Sequence, residues 1–88
     1  MLEQEIIILN RQGMHARPAM QIVEIASRFK SRITIRKNGL RVDAKSIMQV
    51  MTLEAVQGTV LIFEADGDDG AMALEALAKL IAEKFNED

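Results

Sequence analysis

The stretch Ile6-Ile7-Ile8-Leu9-Asn10-Arg11-Gln12-Gly13-Met14-His15-Ala16-Arg17-Pro18-Ala19 contains the change of period from which the fold is read outward. Residues 3–9 combine β-branched residues with acidic and polar ones, as a strand does, with Ile6 and Ile8 facing inward and Ile7 and Leu9 on the other face. Asn10-Arg11-Gln12-Gly13 is polar and ends in glycine, the composition of a loop. Beyond it Ala19, Ile22, Val23, Ala26 and Phe29 recur at spacings of three and four, which predicts an amphipathic helix over 16–29. Pro18 suits the first turn of that helix, where a backbone N–H has no intrahelical partner. Proline also restrains the residue before it, so His15 and Arg17 both stay open as the N-cap.

Further along, Arg32-Ile33-Thr34-Ile35-Arg36 and Leu40-Arg41-Val42-Asp43-Ala44 alternate polar and apolar residues, the pattern of half-buried strands. Asn38-Gly39 between them predicts a two-residue hairpin turn, because both residues tolerate positive φ. Ser46 ahead of Ile47-Met48-Gln49-Val50-Met51 predicts a short helix with a serine N-cap. Ile47, Met48 and Met51 share a face of it, and Met20 lies off the stripe of the first helix. Each fits either a core contact or a soft, exposed docking patch. Residues 59–65 predict a fourth strand with Leu61, Phe63 and Ala65 inward.

Asp66-Gly67-Asp68-Asp69-Gly70 departs from a calcium loop, which needs glycine at its sixth position and glutamate at its twelfth. Asp68 or Asp69 is expected instead to cap a last helix over 71–85, whose stripe is Leu74, Leu77, Ala78, Ile81 and Phe85, with the last three residues fraying. The order βαββαβα within one domain, 1–88, predicts an α+β open-faced two-layer sandwich. A four-stranded antiparallel sheet is covered on one face by three helices.

Hydrophobic residues make up 49% of the chain, yet three Phe and no Trp or Tyr imply an aliphatic core. The absence of cysteine excludes disulfides, thiolate nucleophiles and cysteine-ligated metals, and fits a reducing compartment, so a cytoplasmic protein is expected. Met1-Leu2-Glu3-Gln4-Glu5 places acid where a secretory signal carries base, and no membrane insertion is expected. A net charge of -2 and the lack of stacking aromatics argue against nucleic acid as a partner. Basic residues nevertheless predominate over 11–45 and acidic ones over 64–88, so a locally basic face can meet an acidic partner.

His15 is the only histidine, which with no cysteine makes a metal centre untenable. Ser27, Ser31 and Ser46 lack the context of a catalytic nucleophile, and no glycine-rich phosphate loop is present. A single histidine at a helix start is usually an ordinary capping or surface residue, but one chemistry would make use of it. Its neutral imidazole is a nucleophile near neutral pH, and a phosphoryl group attached to it would meet unpaired N–H groups, the positive helix end and the Arg17 guanidinium.

Gly13-Met14-His15-Ala16-Arg17-Pro18-Ala19 resembles the active-site motif of the HPr family, the histidine-containing phosphocarriers of the bacterial phosphoenolpyruvate-dependent phosphotransferase system. The likeness extends over essentially the whole chain and includes the Asn-Gly hairpin and Lys45-Ser46-Ile47-Met48. It implies an HPr-like fold in a monomeric carrier that needs no cofactor. His15 would accept phosphate on Nδ1 from enzyme I and pass it to enzyme IIA proteins, with Arg17 as the phosphate-stabilising arginine. Ala16, Met20, Ile47, Met48 and Met51 match positions of the family's docking surface. Ser46 matches the serine that an ATP-dependent HPr kinase/phosphorylase modifies in some branches. Residues 10–20 look closer to the nitrogen-related branch, whereas 45–48 look closer to the sugar-transport branch.

Two other readings remain open. One is a regulatory interaction module switched at Ser46 with His15 unused, although such family members typically lack the histidine. The other is a small-ligand sensor with a ferredoxin-like sandwich.

Overall fold

The computed structural model describes residues 1–86. Strand β1 (Leu2–Ile7) is followed by α1 (Ala16–Ala26), β2 (Arg32–Lys37), β3 (Leu40–Asp43), α2 (Ile47–Met51), β4 (Val60–Asp66) and α3 (Gly70–Ala82), with a short turn at Lys84–Asn86. The four strands form one sheet in the order β1-β4-β2-β3. Every pairing is antiparallel, from Leu2 opposite Ala65 at one edge to Lys37 opposite Leu40 at the other. The expected α+β open-faced sandwich is what the chain builds.

Alternation along the strands decides which side the helices cover. Ile6, Ile33, Ile35, Leu61, Phe63 and Ala65 are buried on one face, with Ile8 just beyond β1, against Ala19, Ile22 and Ala26 of α1 and Leu74, Leu77 and Ile81 of α3. Each large aliphatic side chain so buried contributes about 1.5–3 kcal/mol. The inward sets read from the sequence are correct at Ile6, Ile8, Leu61, Phe63 and Ala65.

The hairpin turns at Asn38-Gly39, but only Asn38 of the pair takes a left-handed φ (54°). Ser46 caps α2 as expected, its Oγ accepting the Gln49 N–H at 3.4 Å. Two ends differ from the periodicity. Helix α1 stops at Ala26 and tightens, the Arg28 and Phe29 N–H groups donating to the carbonyls of Ile25 and Ala26. Helix α3 stops at Ala82, and Lys84, Phe85 and Asn86 follow in left-handed conformation, which returns Phe85 to the core. The expected fraying falls, for Glu87 and Asp88, outside the described residues.

Asp69 stands at the N-cap position of α3 but does not cap its own helix. Its carboxylate accepts the Lys30 N–H (2.8 Å), the Ser31 N–H (2.9 Å) and the Ser31 hydroxyl, and so pins the α1–β2 connection. The Ser31 hydroxyl, then the backbone amides, hold this carboxyl below its ordinary value.

On the face without helices, Glu64 of β4 is only 4% exposed. It accepts the Thr34 hydroxyl at 3.0 Å and pairs with Arg41 Nε at 3.0 Å and an Arg36 terminal nitrogen at 3.8 Å. Burial alone would push its carboxyl up. The Thr34 hydroxyl and the two guanidinium groups together outweigh that and hold it below the ordinary value. Stability from its ionisation is therefore fully present above the ordinary carboxylate pKa and lost as pH falls through the depressed folded value. Glu64→Gln should lower stability by about 1–3 kcal/mol at neutral pH, a difference that shrinks in the acid range. Chemical denaturation of both proteins between neutral and acid pH checks this, and an unchanged gap across that range would show that Glu64 acts otherwise.

Candidate functional site

His15 is the N-cap of α1, with an extended backbone (φ −103°, ψ −171°). That settles the choice between His15 and Arg17. Three contacts hold this backbone. Asn10, fully buried, donates from Nδ2 to the Gly13 carbonyl at 2.8 Å. The Met14 N–H donates to the Ala55 carbonyl at 2.7 Å, and the Met14 side chain is buried in the core. Gly13 lies so close to the 55–56 backbone that an added Cβ would stand 2.5 Å from the Ala55 oxygen, and its φ of +69° is one that glycine adopts freely.

The first turn of α1 is left open for an anion. The His15 side chain makes no capping hydrogen bond, and the Ala19 N–H is the first to be used, donating to the His15 carbonyl at 3.1 Å. Pro18 has no N–H, so the orphan donors of the turn are those of Ala16 and Arg17. Both residues are exposed, and Arg17 enters none of the ion pairs among the described residues. His15 itself is half-buried. The chain thus presents an imidazole, two backbone donors, the positive end of a helix and a guanidinium within one turn.

Helix α2 packs against α1 and β3. Met20, Met48 and Met51 are 58%, 77% and 42% exposed, which resolves their two sequence readings in favour of surface. Ile47 instead packs in part against the core. Ser46 is half-buried at the start of α2. Val56, 67% exposed beside Gly13, is a further apolar surface residue that no periodicity marks, because it lies in irregular chain. Asn10, Gly13 and Met14 likewise act by position, and only the glycine carried a signal in the sequence.

Among the described residues no group of three or more His, Cys, Asp or Glu is placed to hold a metal ion. No described helix is long and apolar enough to cross a membrane.

The open-faced sandwich, with a histidine at the start of its first helix and an uncapped turn beneath it, has the fold of the histidine-containing phosphocarriers. The family model for the PTS HPr component phosphorylation site matches residues 2–83, and the chain belongs to that family, whose members carry phosphate rather than act as enzymes. It is 47% identical over 88 residues to the phosphocarrier protein HPr of Xylella fastidiosa (strain 9a5c), covering 100% of this chain and 99% of the relative. The crystal structure of HPr-C-His from Thermoanaerobacter tengcongensis superimposes with a TM-score of 0.96 at 46% identity, covering 100% of this chain and 99% of that one. The crystal structure of an HPr dimer from the same organism gives 0.80 at 47% identity, covering 99% and 100%.

Gly13→Ala tests how the histidine is held. The substitution combines a clash with an unfavourable φ, so it should cost more than about 1 kcal/mol and lower Tm by roughly 5 °C or more. Calorimetry together with the His15 amide chemical shift reads both the loss and its location.

Proposed function

We propose that this protein receives a phosphoryl group on His15 from phospho-enzyme I and delivers it to enzyme IIA proteins of the phosphotransferase system. The observation that carries this reading is the uncapped first turn, whose Ala16 and Arg17 N–H groups are free to meet an anion at the His15 side chain. The neutral imidazole attacks the donor's phosphorus, and the new P–N bond forms as the bond to the donor breaks. Nδ1 is the acceptor atom by likeness to the family motif. The two amides and Arg17 spread the charge that develops on the phosphoryl oxygens. A phosphoramidate is labile, which suits a group that must leave again.

Ala16, Met20, Ile47, Met48 and Met51 form the docking surface in this reading. Exposed thioethers adapt to partners of different shape, which a carrier serving a donor and an acceptor in turn requires. The protein works as a cytoplasmic monomer, since one copy holds every group named here.

Intact mass after incubation with phosphoenolpyruvate, magnesium and a bacterial enzyme I should show one added phosphate that brief acid treatment removes. His15→Ala should abolish it with folding intact, and Arg17→Ala should slow transfer by roughly a hundredfold. Failure with more than one enzyme I would remove the relay and leave the regulatory module.

A second function at this surface is supported by Ser46, whose hydroxyl caps α2 next to Met48. Phosphorylation there by an HPr kinase/phosphorylase would add about -1.5 to -2 charges at a helix start that tolerates them, while repelling an acidic partner. Ser46→Asp should slow phosphorylation of His15 by enzyme I roughly tenfold, with Ser46→Ala near the parent rate. Equal rates for all three would exclude the switch.

A further inference from the structure

A cleft away from His15 opens on another part of the surface. Its volume is about 540 Å³, within the range of small-molecule sites, and none of residues 13–20 or 46–51 lines it. It opens where β2 and β3 begin and end, beside the residues that leave α1. Lys30, Arg32, Arg41 and Lys45 stand around it with a single carboxylate, Asp43, in a chain whose net charge is -2.

These cations differ in how far they are already engaged. Arg41 is paired with Glu64 at 3.0 Å, and Lys45 Nζ donates to the Phe29 carbonyl at 2.7 Å, which fixes its ammonium at the rim with two donors unspent. Lys30 and Arg32 enter no ion pair among the described residues. Asp43, whose Oδ1 accepts the Lys45 N–H at 2.9 Å within its own turn, offsets one of these four charges. The lining thus keeps an excess of positive charge, four cations against one carboxylate.

We propose that this cleft binds a small polyanion carrying two or more phosphoryl groups. Lys30 and Arg32 come from the chain entering β2, Arg41 and Lys45 from β3 and the turn after it, and four cations carry more charge than a single phosphoryl group matches. Arg32 supplies a planar fork suited to phosphoryl oxygens, and the lysines supply point charges. An acidic protein fits less well. The apolar residues of the lining, Ile33 and Val42, are buried, so the cleft offers no exposed apolar anchor of the sort that interfaces are built on.

The test is a titration of the ¹⁵N-labelled chain with sodium tripolyphosphate at fixed ionic strength, read by amide shifts, with orthophosphate in parallel. Tripolyphosphate should saturate, moving the amides of Arg32, Thr34, Asp43 and Lys45, at a Kd about tenfold or more below that for orthophosphate. Lys30→Gln with Arg32→Gln, both exposed positions, should raise the tripolyphosphate Kd about tenfold while the spectrum stays folded. Equal affinity for the two anions, shifts confined to residues 15–17, or binding unaffected by the double substitution would each overturn the proposal.

Discussion

The 2.7 Å hydrogen bond from the Met14 N–H to the Ala55 carbonyl joins two irregular segments on which the candidate site depends. One is the loop between β1 and α1, the other the connection from α2 to β4. Gly13 allows the backbones to come close, Asn10 ties the loop back to Gly13, and the Met14 side chain anchors it in the core. His15 inherits its position from this seam. The proposed relay needs an accessible side chain, and accessible loops are mobile unless something beneath them is fixed. Here the fixing is done by backbone, which leaves the imidazole and the Arg17 side chain at the surface.

The fold was legible in the sequence because each strand buries one face and each long helix one stripe, so period alone separates them. The hairpin and the Ser46 cap were legible for a local reason, since a few residues determine each. The misplaced features are those that depend on neighbours in space. Phe85 continues the helical spacing of α3, yet it reaches the core through a left-handed turn after the helix has ended. Asp69 has the composition of a cap, but its carboxylate is taken by the amides of Lys30 and Ser31, 39 and 38 residues away in the sequence and adjacent in space. Glu64 alternates like a solvent-facing residue and is buried because β4 lies between β1 and β2, a neighbour relation that no spacing encodes.

The site divides in the same way. Its residues were readable from seven consecutive positions, because the imidazole, the guanidinium and the helix start are adjacent in the chain. Its support was not, since Ala55 and Val56 come from about forty residues away. The methionines are intermediate: spacing grouped them, and only the packing of α2 on α1 turned Met48 and Met51 outward while Ile47 leaned on the core. Their apolar surface and the cationic cleft occupy different parts of the molecule, so one small domain separates soft contacts from charged ones.

The strand order also constrains how the chain acquires its shape. Strand β4, made last, pairs with β1 on one side and β2 on the other, so it closes contacts between the two ends of the sequence. Before residue 66 is available, β1 has no neighbour in the sheet and the β2–β3 hairpin stands alone, and an isolated hairpin is marginal in water. Bringing distant segments together costs loop entropy before it is rewarded, which slows such topologies. During synthesis the apolar residues of β1 therefore lack their sheet partner until β4 has been made.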